Sequence, residues 1–222
     1  MVGADPREDA TMALTPVKGM SILFTGDSIT DCGRRTDACQ PMGRGYAFMA
    51  SSWLSAMFPE LGLTFVNKGI SGDRVAGLAA RWTKDCIQLR PSLVSILIGV
   101  NDTWRRFDRD DPTSAEAFEA DYRRLLEQTK RETNALIVMC EPFLLDCGLV
   151  DDEWRADLGP KIEAGRRLAQ EYAALYIPLN DLFSRASASV RPDYWARDGV
   201  HPTAAGHAFI ARAWLKQVFD IG

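Results

Sequence analysis

The chain has 222 residues, of which 46% are hydrophobic and 25% are charged. This composition is typical of a globular protein and excludes both an intrinsically disordered chain and a fibrous repeat. With 26 Lys and Arg against 30 Asp and Glu, the net charge is -4, which is too small and of the wrong sign for a protein that binds nucleic acid through its phosphates. We therefore expect no nucleic-acid partner.

Short apolar runs alternate with amphipathic segments along the chain, and this alternation predicts an α/β fold with a parallel sheet and helices on its faces. The third run is almost entirely aliphatic, as expected of a strand that is covered on both sides. Five runs are predicted to be strands: residues 21–24, 63–66, 93–98, 135–139 and 175–177.

Three segments repeat apolar residues about every 3.6 positions and are predicted to be helices that begin near residues 113, 161 and 203. Before the first of them, Asp111 can cap the helix with Pro112 in its first turn, and Thr113 with Glu116 offers a second capping register. The last helix is predicted to bury Ile210, Ala211, Trp214, Leu215 and Val218.

We expect a soluble, cytoplasmic protein without a membrane partner. The first residues lack the basic start and the apolar run of a signal peptide, and no stretch approaches the roughly 20 apolar residues of a membrane span. Residues 1–17 are predicted to be a loosely ordered tail before a single domain at 18–222. The five cysteines contain no CxxC pair, two histidines are too few for a His-rich centre, and neither GxxxxGKS nor GxGxxG occurs. We expect neither a metal nor an organic cofactor.

Polar turns that contain glycine follow each of the first three predicted strands. In an open parallel sheet, ligands bind outside the carboxyl ends of the strands, so these turns are predicted to gather at one edge. A fourth polar segment precedes the last predicted helix and contains the only histidine outside a helical pattern. The four segments read GDSIT from residue 26, GISGD from 69, GVND from 99 and DGVHP from 198.

Together these segments contain the groups that acyl transfer requires. A serine hydroxyl is a weak nucleophile until a base takes its proton, and His201 is the best candidate base for Ser28. Asp198, three residues before His201, can bind the other imidazole nitrogen and fix its tautomer. A tetrahedral intermediate also needs hydrogen-bond donors, which the amides of Ser28 and Gly72 and the side-chain NH2 of Asn101 can supply.

In this order, GDSIT, GISGD, GVND and DGVHP resemble the four sequence blocks of the SGNH-hydrolase superfamily, the GDSL-type esterases, over roughly residues 20–218. The resemblance implies a flavodoxin-like three-layer α/β/α sandwich with a five-stranded parallel sheet. It also implies that Ser28 is the nucleophile, that Asp198 and His201 are the acid and base, and that Ser28, Gly72 and Asn101 form the oxyanion hole.

The longer stretches GDSITDCGR, NKGISGD and GVNDTWR are similar to those of cytosolic acetylxylan esterases within this superfamily. That similarity implies an enzyme that deacetylates xylo-oligosaccharides and assembles as a homo-oligomer. Trp104, Tyr194 and Trp195 are candidates to line the acyl site, because aromatic faces suit sugar rings, and Asp27 is a further candidate substrate contact. The alternative is that the tryptophans fill the core or an oligomer interface.

Individual residues of these motifs also fit different roles. Ser28 can cap a helix, and an aspartate after the first strand, such as Asp27 or Asp31, can accept a phosphoryl group. The haloacid-dehalogenase pattern, however, has a second aspartate where this chain has Ile29. His207, inside the last predicted helix, is predicted to be structural. An arylesterase, a thioesterase and a lysophospholipase-type SGNH hydrolase remain alternatives, and so does a non-catalytic saccharide-binding module with a flavodoxin-like fold.

Overall fold

The computed structural model describes residues 13–222. Within this range, one five-stranded sheet is parallel throughout and has the strand order β2-β1-β3-β4-β5. Its strands are β1 (Ser21–Gly26), β2 (Thr64–Asn67), β3 (Leu93–Leu97), β4 (Leu136–Cys140) and β5 (Leu175–Ile177). The α/β class and the five predicted strands are confirmed, with shifts of one or two residues at their ends.

Helices cover both faces of the sheet. In chain order they are α1 (Ser28–Asp31), α2 (Tyr46–Met57), α3 (Val75–Asp85), α4 (Val100–Arg109), α5 (Ala115–Glu132), α6 (Asp152–Glu171), α7 (Leu179–Ser187) and α8 (Ala204–Phe219). Short 3-10 turns lie at Pro59–Leu61, Ile87–Leu89 and Pro192–Tyr194.

Side chains of the central strands alternate between two buried clusters, as the period of two in a strand requires. Ile22 and Phe24 of β1 belong to the cluster that contains Trp214 of α8, whereas Leu23 belongs to the cluster that contains Trp82 of α3. α2 packs against α8, and α3 packs against α5. The sheet therefore lies between two helical layers, which is the three-layer sandwich that the resemblance implies.

The predicted start of α5 is wrong in both registers. The helix is capped by Ser114, whose Oγ accepts a hydrogen bond from the amide of Ala117 at 3.2 Å. Neither Asp111 nor Thr113 caps it, because both bind the guanidinium of Arg74 instead: Asp111 forms an ion pair with it, and Thr113 Oγ1 accepts from it at 3.3 Å.

The predicted start of α6 near residue 161 is also wrong. The helix begins at Asp152, where the carboxylate of Asp151 accepts hydrogen bonds from the amides of Glu153 at 2.9 Å and Trp154 at 3.1 Å. Pro160 lies inside this helix, although proline usually interrupts one. The helices α1, α2, α3, α4 and α7 are not predicted from the sequence.

Both ends of the described chain meet at α8. This helix begins where predicted, with Thr203 as its cap, and all five residues of its predicted inner face are buried. The amide of Leu14 donates to the carbonyl of Val218 at 2.7 Å, so the described start of the chain is attached to the C-terminal helix at this residue. Residues 1–12 of the predicted tail lie outside the described residues. From residue 13 onward, no helix combines the length and apolar character needed to cross a membrane.

Strand order fixes where a ligand can bind. The chain passes from β1 to β2 on one side and then returns to β3 on the other side, so the connections after β1 and β3 diverge. Such a reversal opens a crevice at the carboxyl ends of the two strands. The GDSIT segment follows β1 and the GVND segment follows β3, so both lie at this crevice.

Candidate active site

Ser28 is the first residue of α1, directly after the turn that ends β1. At Gly26 a side chain is excluded, because a Cβ there would stand 1.9 Å from the carbonyl oxygen of Leu97 on the adjacent strand. Asp27 caps α1 by accepting a hydrogen bond from the amide of Ile29 at 2.9 Å. Ser28 is therefore not the helix cap, and its hydroxyl is left for another partner.

That partner is His201, which is 173 positions away in the sequence. Ser28 Oγ lies 3.0 Å from His201 Nε2, and His201 Nδ1 lies 2.7 Å from Asp198 Oδ2. The other oxygen of Asp198 accepts from the amides of Val200 at 3.0 Å and His201 at 2.7 Å. Because Nδ1 donates to the carboxylate, Nε2 is left to accept the hydroxyl proton, which is the tautomer that a general base requires.

The electrostatics of this pair favour the same assignment. Partial burial alone would raise the pKa of Asp198, but the hydrogen bonds from the His201 ring and from the two amides outweigh it and lower the pKa to about 2. The hydrogen bond to Asp198 raises the pKa of His201, against the opposing effect of partial burial. The carboxylate is thus ionised at neutral pH, and it stabilises the imidazolium that forms when His201 takes a proton.

Backbone hydrogen bonds close the loop that carries Asp198 and His201 and also join it to a neighbouring segment. A β-bridge joins Ala196 to Pro202 at its base. The carbonyls of Asp198 and Gly199 accept hydrogen bonds from amides of the segment 145–149, at 3.2 Å and 2.9 Å respectively. The positions of the acid and the base are therefore fixed by backbone contacts as well as by their own side chains.

Two of the three predicted oxyanion donors, Gly72 and Asn101, lie on turns that are joined by a hydrogen bond. Asn101 is in the first turn of α4, where its Nδ2 donates to the carbonyl of Asp73 at 3.1 Å. This bond joins Asn101 to the turn of Gly72, which has a φ of +84° that favours glycine. The Nδ2 group has a second hydrogen, and the Ser28 amide lies at the N-terminus of α1, where helix amides lack intrahelical acceptors.

Charged side chains that were not predicted to be site residues hold the Gly72 turn in place. The carboxylate of Asp31 accepts from the amide and the hydroxyl of Ser71, at 3.0 Å and 3.1 Å. Asp73 pairs with Arg81 at 2.8 Å, and the first amide of α3 donates to Asp102 at 3.1 Å. Asp73 and Asp102 belong to the GISGD and GVND segments and Asp31 follows GDSIT directly, which was a usable signal, whereas no motif pointed to Arg81.

Asp27 does not occupy the position expected of a substrate contact. Its side chain is 1% exposed, and burial raises its pKa to about 7 against the opposing hydrogen bond from Ile29. The carboxyl group therefore lies inside the protein beneath the Ser28 turn rather than on the surface, and the prediction is corrected on this point.

Of the three aromatic candidates, Trp104 is the one brought to the serine and histidine. Its ring centroid lies 5.4 Å from the imidazole of His201, and the ring also packs against Trp154, at 5.4 Å. Trp195 instead packs against Phe209 at 5.1 Å, which agrees with the alternative that it fills the core. Tyr194 is exposed and contacts Trp195.

His207 is a structural residue of α8, as predicted. Its Nδ1 accepts from the amide of Tyr46 at 3.2 Å, and its Nε2 lies 3.4 Å from Cys32 Sγ. Burial lowers its pKa to about 4. It is therefore neutral at pH 7, with both ring nitrogens already occupied.

Known proteins are similar to this chain in both sequence and fold. The GDSL-like lipase/acylhydrolase family model matches residues 24–209. An acetylxylan esterase from Geobacillus stearothermophilus is 36% identical over 208 residues, which cover 90% of this chain and 94% of that enzyme. A structure described as a GDSL-like lipase, from Parabacteroides merdae, has a TM-score of 0.89 at 34% identity and covers 93% of this chain and 99% of its own.

The crystal structure of the Geobacillus acetylxylan esterase has a TM-score of 0.84 at 35% identity, covering 92% of this chain and 96% of that one. Structures of that enzyme described as catalytic mutants replace a serine, an aspartate and a histidine. Its aspartate and histidine are three positions apart, as Asp198 and His201 are here. The chain belongs to the GDSL-like lipase/acylhydrolase family and is a carboxylic ester hydrolase.

Proposed function

We propose that the protein removes short O-acyl groups, and acetyl in particular, from a carbohydrate through an acyl-enzyme on Ser28. The observation that carries this proposal is the continuous row of hydrogen bonds from Ser28 Oγ through His201 to Asp198 at the crevice of the sheet. The name of the Geobacillus relative supports an acetylated xylan fragment as substrate, since it is called both an acetylxylan esterase and an acetyl-xylooligosaccharide esterase.

In the acylation half, Ser28 Oγ attacks the acetyl carbonyl while His201 Nε2 takes the hydroxyl proton. The carbonyl oxygen becomes an oxyanion, which accepts hydrogen bonds from the amides of Ser28 and Gly72 and from Asn101 Nδ2. When the intermediate collapses, the bond to the sugar oxygen breaks and His201 returns its proton to that oxygen. The sugar leaves with a free hydroxyl, and the acetyl group stays on Ser28.

In the deacylation half, a water molecule takes the place of the sugar. His201 accepts one of its protons as the water oxygen attacks the acyl carbonyl, and the same three donors stabilise the second oxyanion. Collapse breaks the bond to Ser28 Oγ, which regains its proton from His201, and acetate departs. Asp198 remains ionised throughout and holds the imidazole in one orientation, as its low pKa favours.

Trp104 supports a preference for small acyl groups. Its indole lies beside His201 and is backed by Trp154, so it forms a rigid apolar wall next to the reacting carbon. The same face can stack on a sugar ring. We therefore assign Trp104 to substrate selection and leave Tyr194, which lies on the exposed turn before the acid–base loop, as a more remote sugar contact.

We further propose one catalytic domain over residues 18–222, which acts in the cytoplasm as a homo-oligomer. Trp53 and Met57 of α2 support the assembly, because both are exposed beside α8 and form an apolar surface that a second copy can cover.

Replacing Ser28 by Ala tests the nucleophile. We expect turnover of an aryl acetate and of acetylated xylo-oligosaccharides to fall by at least about a thousandfold, with circular dichroism unchanged. Ser52→Ala, an exposed serine on α2, is the matched control and should retain full activity. A fluorophosphonate probe should label the native protein and the control but not the Ser28 variant.

Most of the alternative functions have their own outcome once long acyl esters, acyl thioesters and a saccharide-binding assay are added to this experiment. Retained activity in the Ser28 variant would refute the nucleophile. Faster cleavage of long acyl esters or acyl thioesters than of acetyl esters would select a lysophospholipase or thioesterase instead. Saccharide binding without probe labelling or turnover would identify a non-catalytic module.

A further inference from the structure

One guanidinium group touches both of the predicted oxyanion turns. Arg105 lies one helical turn after Asn101 on α4, and its NH2 group donates to Asn101 Oδ1 at 3.3 Å. The same nitrogen lies against Gly72, where a Cβ would stand 3.4 Å from it. The Arg105 side chain is only 15% exposed. It is therefore packed behind the site rather than extended into solvent.

The orientation of the Asn101 amide decides whether it can stabilise an oxyanion. The amide nitrogen and oxygen are nearly equal in size, so packing alone does not distinguish the two orientations. If the group were reversed, its oxygen would face the carbonyl of Asp73 and its NH2 would face the guanidinium of Arg105. Acceptor would then oppose acceptor and donor would oppose donor. The two observed bonds, at 3.1 Å and 3.3 Å, thus hold one hydrogen of Nδ2 on Asp73 and leave the other for the substrate.

Arg105 is itself restrained on its other side. It forms an ion pair with Asp108, one helical turn further along α4. Arg109 approaches the same carboxylate at 3.8 Å but is 67% exposed, and it makes no contact with Asn101. The helix therefore carries two arginines that share an acidic partner, of which only Arg105 reaches the oxyanion turns.

We propose that Arg105 is a positioning residue for the oxyanion hole: it fixes the Asn101 amide with its NH2 toward the substrate and supports the Gly72 turn. The inference rests on the proposed function, since it acts through a donor that the proposal assigns. A cationic donor on Oδ1 also polarises the amide and makes its N–H groups stronger donors. The contribution of Arg105 is thus to the transition state and not to substrate binding.

Arg105→Met tests this, because it keeps an unbranched side chain in place of the aliphatic part of arginine and removes both the donors and the charge. We expect kcat on an aryl acetate to fall about 10- to 100-fold, since misplacing one donor loses part of the roughly 100- to 1,000-fold effect of removing it. KM is expected to stay within about threefold. Arg109→Met is the matched control and should keep kcat unchanged. In Arg105→Ala, which leaves room for a small cation, guanidinium at non-denaturing concentration should restore part of kcat.

A double-mutant cycle separates this inference from the proposed function. Asn101→Ala should lower kcat, and adding Arg105→Met to it should cost less than about threefold more, because the residue that Arg105 orients is gone and only its support of the Gly72 turn remains to be lost. Full multiplication of the two effects, or a change in KM alone, would overturn the inference and leave the esterase mechanism intact. If Arg105→Met kept full activity while Asn101→Ala lost activity, the inference would likewise be overturned and the esterase mechanism kept. Full activity of Asn101→Ala would overturn both the oxyanion assignment and the inference.

Discussion

Replacing His207 by Asn should remove one pH-dependent component of folding stability. Burial, with a smaller effect from His201, lowers the pKa of His207 from its ordinary 6.5 to about 4. Between these two pH values the unfolded chain binds a proton that the folded protein does not, so this component of stability is fully present above pH 6.5 and is lost as the pH falls through 4. Asn can still accept the amide of Tyr46 but does not titrate.

The expected magnitude follows from the two pKa values. The pKa values of His207 in the unfolded and folded states differ by about 2.5, which corresponds to at most about 3.4 kcal/mol of folding stability. At pH 5 the imidazole of His207 is almost fully protonated in the unfolded chain but still mostly neutral in the folded protein. About 2 kcal/mol of this stabilisation is therefore lost between pH 8 and pH 5. His207 is 6% exposed, so solvent screening reduces the effect little.

Urea unfolding followed by tryptophan fluorescence at several pH values between 5 and 8 measures this component. The contributions of the other titrating groups cancel when the unfolding free energy of the variant is subtracted from that of the native protein. This difference should fall by about 2 kcal/mol between pH 8 and pH 5. His201→Asn is the control with the opposite sign: the pKa of His201 is raised, so its component is present below pH 6.5 and is lost as the pH rises through the folded value. Parallel curves for native protein and the His207 variant would refute the reasoning.

Two predictions concern catalysis. kcat/KM should rise with pH around a midpoint above 6.5, because His201 must be neutral to act as base and its pKa is raised, and Asp198→Asn should lower both the midpoint and kcat. A flat pH–rate profile from pH 5 to 8 would contradict this. Trp104→Ala should improve kcat/KM for an aryl butyrate relative to the acetate by about tenfold, since the wall beside His201 is removed; an unchanged ratio of the two rates would exclude this role for Trp104.

The strands could be predicted because burial on both faces leaves a strong apolar signal, as β3 shows with all of its residues buried. α4 could not, because its sequence is mostly polar and its first residues look like a turn. It is held as a helix by contacts from elsewhere in the chain, including the bond from the first amide of α3 to Asp102. Pro160 is misleading for a related reason, since packing of α6 on its neighbours overrides a local breaker.

The sequence predicts the catalytic residues and the contacts among them, but not the residues that support them. Ser28, Asp198 and His201 carry motif signals, and the structure brings them within hydrogen-bond distance. Asp27 was misjudged because adjacency to Ser28 says nothing about direction: the side chain turns inward to cap α1. The bond from Arg105 to Asn101 depends on helical register and side-chain conformation, which single-sequence patterns do not encode.

The bridge between Ala196 and Pro202 closes one loop that holds both Asp198 and His201, whereas Ser28 belongs to α1, in a different part of the chain. A displacement of that closed loop relative to α1 would therefore change the distance between Ser28 Oγ and His201 Nε2 and leave the hydrogen bond between His201 and Asp198 intact. Alignment of the three catalytic side chains thus depends on a single contact between two separate segments.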